Sequence, residues 1–212
     1  MNAHNMNASI PVLFRTYASK KEPPISCTVW QAARATSAAP IFFERVFIGP
    51  ASRRQPYIDG GVGRNNPTAQ VLEEAEVEFP GRNIACLISI GTGKLATINV
   101  PKPDFFQRNV VAIDVIKAMV GIATDCEKTA EDMEKKFRHL PKTYFRFNVE
   151  QGLQTVKLGD WDRMDEVAAH TQQYMKISEV DQRLATAVQA IREGKRVIQT
   201  SASTSMEQDF LC

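Results

Sequence analysis

The stretch Tyr57-Ile58-Asp59-Gly60-Gly61, followed closely by Asn65-Asn66-Pro67, holds the residues of this chain best suited to chemistry. A short β-type run delivers one carboxylate onto two glycines. There the backbone can bend sharply and a side chain can meet a ligand. A carboxylate so placed has two uses. It can close a hairpin, since Asp-Gly is a strong turn dipeptide. It can also be the base half of a catalytic pair, within hydrogen-bond reach of a hydroxyl nucleophile.

Other candidates are weaker. Gly91-Thr92-Gly93-Lys94 invites a phosphate-loop reading, but the spacing fails. The position five before Gly93 is Ile88 rather than glycine, and Leu95 follows the lysine where Ser or Thr is needed. A tight glycine turn beside a site, letting backbone come close to something, suits Gly91 and Gly93 better. His139 and His170 lie in polar helical stretches and read as solvated surface. Phe42, Phe43 and Phe47 could touch an acyl chain, but core packing is the simpler expectation. Cys27, Cys86, Cys126 and Cys212 show no paired spacing, so reduced thiols are expected rather than disulfides or a zinc site. With three histidines in the chain, a histidine metal cluster is not expected.

The elements around Asp59 follow from pattern. Pro11 to Tyr17 reads as a buried strand. A helix is predicted from Thr28 to Ala39, stopping before Pro40. Its alanines make it slim enough for a neighbouring backbone to approach. Phe42 to Ile48 and Gln55 to Asp59 read as strands. Asn66 can cap the next helix, with Pro67 in the first position, where no amide donor is needed. Val71, Leu72, Ala75 and Phe79 share a face of that helix. Ile84 to Ile90 is apolar on both faces, the pattern of a strand covered on each side. Phe105 to Leu140 reads as mostly helical, and Tyr144 to Val149 as a strand. Two helices follow, near Asp162 to Met175 and Glu179 to Gly194. Helices alternating with strands over short connections indicate an α/β layered fold.

Composition sets the outer bounds. The 212 residues, 43% hydrophobic, suffice for one large domain with a core. A net charge of +2, with no basic block, gives no reason to expect nucleic acid as a partner. Residues 1–8 are polar and Asn-rich and read as a disordered lead-in. They have no charged start before an apolar core, so they do not form a secretory signal. Asn109 to Ala123 is short for a membrane span and carries Asp114 and Lys117. An intracellular, cytoplasmic protein is expected. Residues 199–212, rich in Ser and Thr, read as a disordered tail.

A resemblance now joins these parts. Arg34-Ala35-Thr36-Ser37-Ala38-Ala39-Pro40, Tyr57-Ile58-Asp59-Gly60-Gly61, Asn65-Asn66-Pro67 and Ser89-Ile90-Gly91-Thr92-Gly93 occur in that order. The ordered set resembles the later part of the patatin-like phospholipase domain. Phe14-Arg15-Thr16-Tyr17 and Thr124-Asp125-Cys126-Glu127-Lys128-Thr129 also fit, fungal members in particular. The likeness covers roughly residues 9 to 150 and supports a partial domain over 9–198. It implies an α/β layered sheet with flanking helices, and a lipid acyl hydrolase working on a lipid or membrane surface. It implies a Ser–Asp dyad with Asp59 as base and neither metal nor cofactor. Gly60, Gly61, Asn65, Asn66, Gly91 and Gly93 become substrate- or turn-supporting positions.

The sequence departs from that pattern in one respect. It contains no Gly-x-Ser-x-Gly elbow, and no glycine-rich oxyanion loop precedes Asp59. In the family both lie upstream of the Asp. The expectation is therefore a partial domain with an incomplete sheet, inactive by itself, whose partner is an upstream half of the same domain. Ser37 and Ser89 are the serines inside recognisable motifs, and the resemblance gives both supporting roles. The alternative is a non-catalytic lipid- or protein-binding module derived from the same fold.

Overall fold

The computed structural model describes residues 2–8, 10–40, 42–94 and 126–193. They fall into two compact units, one from Met1–Ala69 with Ile98–Thr129, the other from Gln70–Thr97 with Ala130–Cys212. Both are mixed α/β, with open sheets and flanking helices. The sequence readings for 95–125 and for the tail lie outside the described residues.

The first unit is built on a four-stranded antiparallel sheet. Its strands are β1 (Asn2–Asn5), β2 (Ile10–Leu13), β3 (Val46–Ile48) and β4 (Gln55–Asp59), in the order β2-β1-β4-β3. β1 is central: Ala3 is opposite Val12 on one side and Asp59 on the other. The lead-in expected to be disordered thus supplies the middle of the sheet. Its composition hides this, because a central strand here needs only a small residue and a self-satisfied polar one. Ala3 is fully buried. Asn5, also buried, accepts the amides of Asn7 and Ala8 on its own Oδ1.

Helix α1 (Val29–Thr36) packs on this sheet. It starts where expected, with Thr28 and Gln31 capping one another reciprocally. Ala32 and Ala35 face inward and join Ala3, Phe14, Ile48 and Tyr57 in one apolar cluster. Phe14 meets Tyr57 edge to face, with ring centres 5.6 Å apart. β3 is shorter than the run from Phe42 suggests. The amides of Phe42 and Phe43 both turn back to the Ala39 carbonyl, which holds the chain off the sheet. As a result Phe42, Phe43 and Phe47 are each about half exposed rather than packed in the core.

A single turn, α2 (Gly61–Arg64), follows β4, and α3 (Thr68–Glu78) carries the chain into the second unit. There β5 (Leu87–Ile90) pairs in parallel with β6 (Tyr144–Phe147). The remaining helices are α4 (Glu127–Lys136), α5 (Met164–Met175) and α6 (Ser178–Glu193). Ala187 and Ala190 of α6 pack on Phe145, with Cys86 and Phe147 at the margin. β5 corrects the expectation of cover on both faces. Leu87 and Ser89 are buried, while Ile88 is exposed and Ile90 is 79% exposed. The inward polar residue, Ser89, is tolerated because Arg146 Nη1 donates to its Oγ at 3.0 Å.

Candidate active site

Asp59 closes β4, and three neighbours fix it. Its backbone is opposite Ala3 of β1. Its amide donates 3.1 Å to the carbonyl of Ala38, just past the end of α1. Ala38 is fully buried, so the small residues there let helix and strand backbones meet directly. Its carboxylate Oδ1 accepts the Gly61 amide at 2.7 Å. Among the described residues no hydrogen bond falls on the other oxygen, Oδ2, and the residue is half-buried.

The glycines divide their work in a way the sequence reading did not resolve. Gly60 is buried, with φ −67° and ψ −14°, a conformation open to any residue. Gly61 is kept small by space: a Cβ there would lie 3.1 Å from Asp59 Oδ1. The left-handed residue is Gly63, at φ 84°, which ends the turn begun by Gly61. The signal for it was present as the third glycine of Gly60-Gly61-Val62-Gly63.

Asn65 closes α2. Asn66 is buried and does two things. Its Oδ1 accepts from the amide and hydroxyl of Thr68, capping α3. Its Nδ2 donates 3.3 Å to the Cys126 carbonyl.

Gly91 and Gly93 belong to the second unit. Their turn is held by the protein itself. The Gly91 amide donates to the Phe147 carbonyl, Gly93 to Asn148 Oδ1 and Lys94 to the Val149 carbonyl, each at 2.8 Å. A Cβ on Gly91 would land on the Asn148 carboxamide and the Arg146 guanidinium, and Gly93 has φ 122°. The amides a phosphate would need are therefore already used. Asn148 and Arg146 were missed from sequence, since nothing marks them before β6 is placed beside β5.

Neither motif serine is primed to attack. Ser37 Oγ donates to the Ala33 carbonyl at 2.9 Å. Ser89 Oγ accepts from a guanidinium, which draws electron density away from the oxygen. Burial pushes the Tyr144 phenol above its ordinary pKa, with Ser89 and Arg146 opposing. Burial also pushes the Cys27 thiol up, which disfavours the thiolate. Cys27, Cys86 and Cys126 are free thiols. Among the described residues no group of His, Cys, Asp and Glu is set to hold a metal. Nor is any helix there long and apolar enough to cross a membrane.

Fold and site together define a mixed α/β protein that presents an oriented carboxylate on a glycine turn at a strand end. Residues 3–72 match the model of the patatin-like phospholipase family. Three relatives are similar. Phospholipase A I of Arabidopsis thaliana is 36% identical over 121 residues, covering 57% of this chain and 8% of the relative. Human calcium-independent phospholipase A2-gamma is 32% identical over 124 residues, covering 57% and 14%. The rat 85/88 kDa calcium-independent phospholipase A2 is 28% identical over 149 residues, covering 61% and 18%. The chain thus spans less than a fifth of the length of these relatives.

Proposed function

We propose that this chain carries the Asp-bearing part of a serine lipid acyl hydrolase, with residues 9–198 as a partial patatin-like domain acting inside the cell. The observation that carries this reading is Asp59, oriented by the Gly61 amide within the segment that matches the family. Asp59 is the base of a Ser–Asp dyad. Gly60, Gly61, Asn65 and Asn66 hold its turn, and Gly91 and Gly93 shape supporting structure.

In this reading Oδ2 takes the proton of a serine hydroxyl as its oxygen attacks the ester carbonyl. The proton passes to the departing alcohol as the tetrahedral intermediate collapses to an acyl-serine. Water then attacks the acyl-serine as Asp59 takes its proton, and that proton returns to the serine oxygen as the acyl–serine bond breaks and the fatty acid leaves. No metal or cofactor is required. The sequence holds no Gly-x-Ser-x-Gly, so the nucleophile and the oxyanion donors come from outside these 212 residues. An upstream half of the same domain is the partner of matching chemistry, and the chain by itself is inactive.

A fluorophosphonate probe tests this. No serine should be labelled in the chain alone. Joined to a segment bearing an elbow serine, it should hydrolyse a phospholipid ester, and Asp59→Asn should lower that rate at least about a hundredfold. Labelling of the chain alone that disappears in Asp59→Asn would overturn the claim of inactivity. Full hydrolysis by the joined Asp59→Asn protein would overturn the dyad. The second reading, a non-catalytic binding module, is favoured by the missing elbow. It gains if the joined protein binds lipid and never hydrolyses it.

A further inference from the structure

In the second unit β5 and β6 form a two-stranded parallel sheet whose outer edges differ. On β6 the outward backbone groups are taken by side chains. The Arg146 carbonyl accepts from Arg183 of α6 at 3.1 Å, and the Asn148 amide donates to the Tyr174 hydroxyl of α5 at 3.2 Å. The inward groups of β5 are also used: the amides of Leu87 and Gly91 donate to the Thr143 and Phe147 carbonyls. Alternation therefore turns the amides and carbonyls of Ile88 and Ile90 to the far edge. Among the described residues no hydrogen bond falls on them.

The same two residues are bare on one face. Ile88 is in register with Phe145, and Ile90 with Phe147. Ala187 and Ala190 of α6 cover Phe145, which is buried. Over β5 that face is left open, with Ile88 38% and Ile90 79% exposed. Charge and proline are the usual devices that keep an edge strand from pairing with another chain. Residues 84–90 contain neither.

We infer that β5 pairs antiparallel with β5 of a second copy of this chain, about a two-fold axis at Ser89. The strand itself dictates the register. With Ser89 on the axis, Ile88 of each copy is opposite Ile90 of the other. Both residues point their backbone groups outward, so each pair exchanges two hydrogen bonds and packs its side chains on one face. The contact is self-complementary and sets no like charges against each other. That match favours a second copy over an unrelated chain. It stands apart from Asp59 and from the lipid-hydrolase reading.

Sedimentation velocity of the full chain over a range of concentrations tests it. A monomer–dimer equilibrium is expected, and hydrogen exchange at the Ile88 and Ile90 amides should slow as the dimer forms. Ile88→Pro removes an outward amide that β5 does not use in the monomer, so the variant should fold and dimerise about tenfold or more weakly. Ile90→Lys places a charge on the edge and should act in the same direction. Circular dichroism checks that each variant is folded. Asp59→Asn should dimerise as the unmodified chain does, so failure of the dyad and failure of this contact are read separately. A monomer at every concentration overturns the inference, including one whose Ile88 and Ile90 amides are protected at all concentrations, which would show that another segment of the chain covers the edge. So does a dimer that both folded variants form as tightly as the unmodified chain, or one that leaves exchange at β5 unchanged.

Discussion

The Gly61 amide donates to the Asp59 carboxylate across 2.7 Å, and a Cβ on Gly61 would lie 3.1 Å from the same oxygen. A methyl group at Gly61 would therefore press on the oxygen that its amide holds. Asp59→Ala should therefore speed hydrogen exchange at the Gly61 amide and cost about 1.5–3 kcal/mol, the range for hydrogen bonds to charged groups. Asp59→Asn keeps an acceptor and should exchange more slowly than Asp59→Ala. Exchange measured by NMR on both variants checks the order.

Asn66 joins the start of α3 to the Cys126 carbonyl. Asn66→Ala removes the cap and the long-range bond at once. Loss of the cap costs about 1 kcal/mol, and loss of the bond to the Cys126 carbonyl adds to it. Asn66→Asp keeps the cap acceptor but sets a carboxylate against the Cys126 carbonyl, so it too should destabilise. Urea titration should rank both below the unmodified protein.

Gly91→Ala forces a methyl group onto Asn148 and Arg146. Overpacking of this kind costs about 1–3 kcal/mol. Part of that cost should vanish in an Asn148→Ala background, because one of the two clashing groups is gone. A thermal-melting cycle over the four proteins measures the coupling.

Burial raises the pKa of Cys27 and that of Tyr144 above their ordinary values. The folded state therefore holds each proton more tightly than the unfolded chain does. The stabilisation is full below the unfolded values and is lost as pH rises through the folded ones. Stability should fall on the alkaline side, first through Cys27 and then through Tyr144. Tyr144→Phe should flatten the decline above about pH 10. Urea midpoints across the alkaline range check this.

The helices were the most legible part of this chain. Thr28 with Gln31, and Asn66 before Pro67, mark starts through local bonds that the residue types dictate. Asp59 was legible for the same reason, since its turn is made from residues two apart. β1 was illegible because its worth lies in distant partners, with Asn5 opposite Tyr57 and Ile10. The aromatics were misjudged because hydrophobic type says nothing of a loop held off the sheet by the Ala39 carbonyl. Asn148 needed the parallel pairing of β5 and β6 before its role could be seen.

The central position of β1 also has a consequence for how the protein is made. During synthesis β1 and β2 emerge before α1, β3 and β4 and can pair as a hairpin. The other edge of β1 must then wait for β4, which is translated only after α1 and β3. Through that interval the nascent hairpin offers open backbone donors and acceptors to any neighbouring chain. A chaperone that shields this edge, or slow translation that gives α1 time to form, would raise the yield of native protein. Changes confined to the first five residues would act on that yield before they acted on anything the finished molecule does.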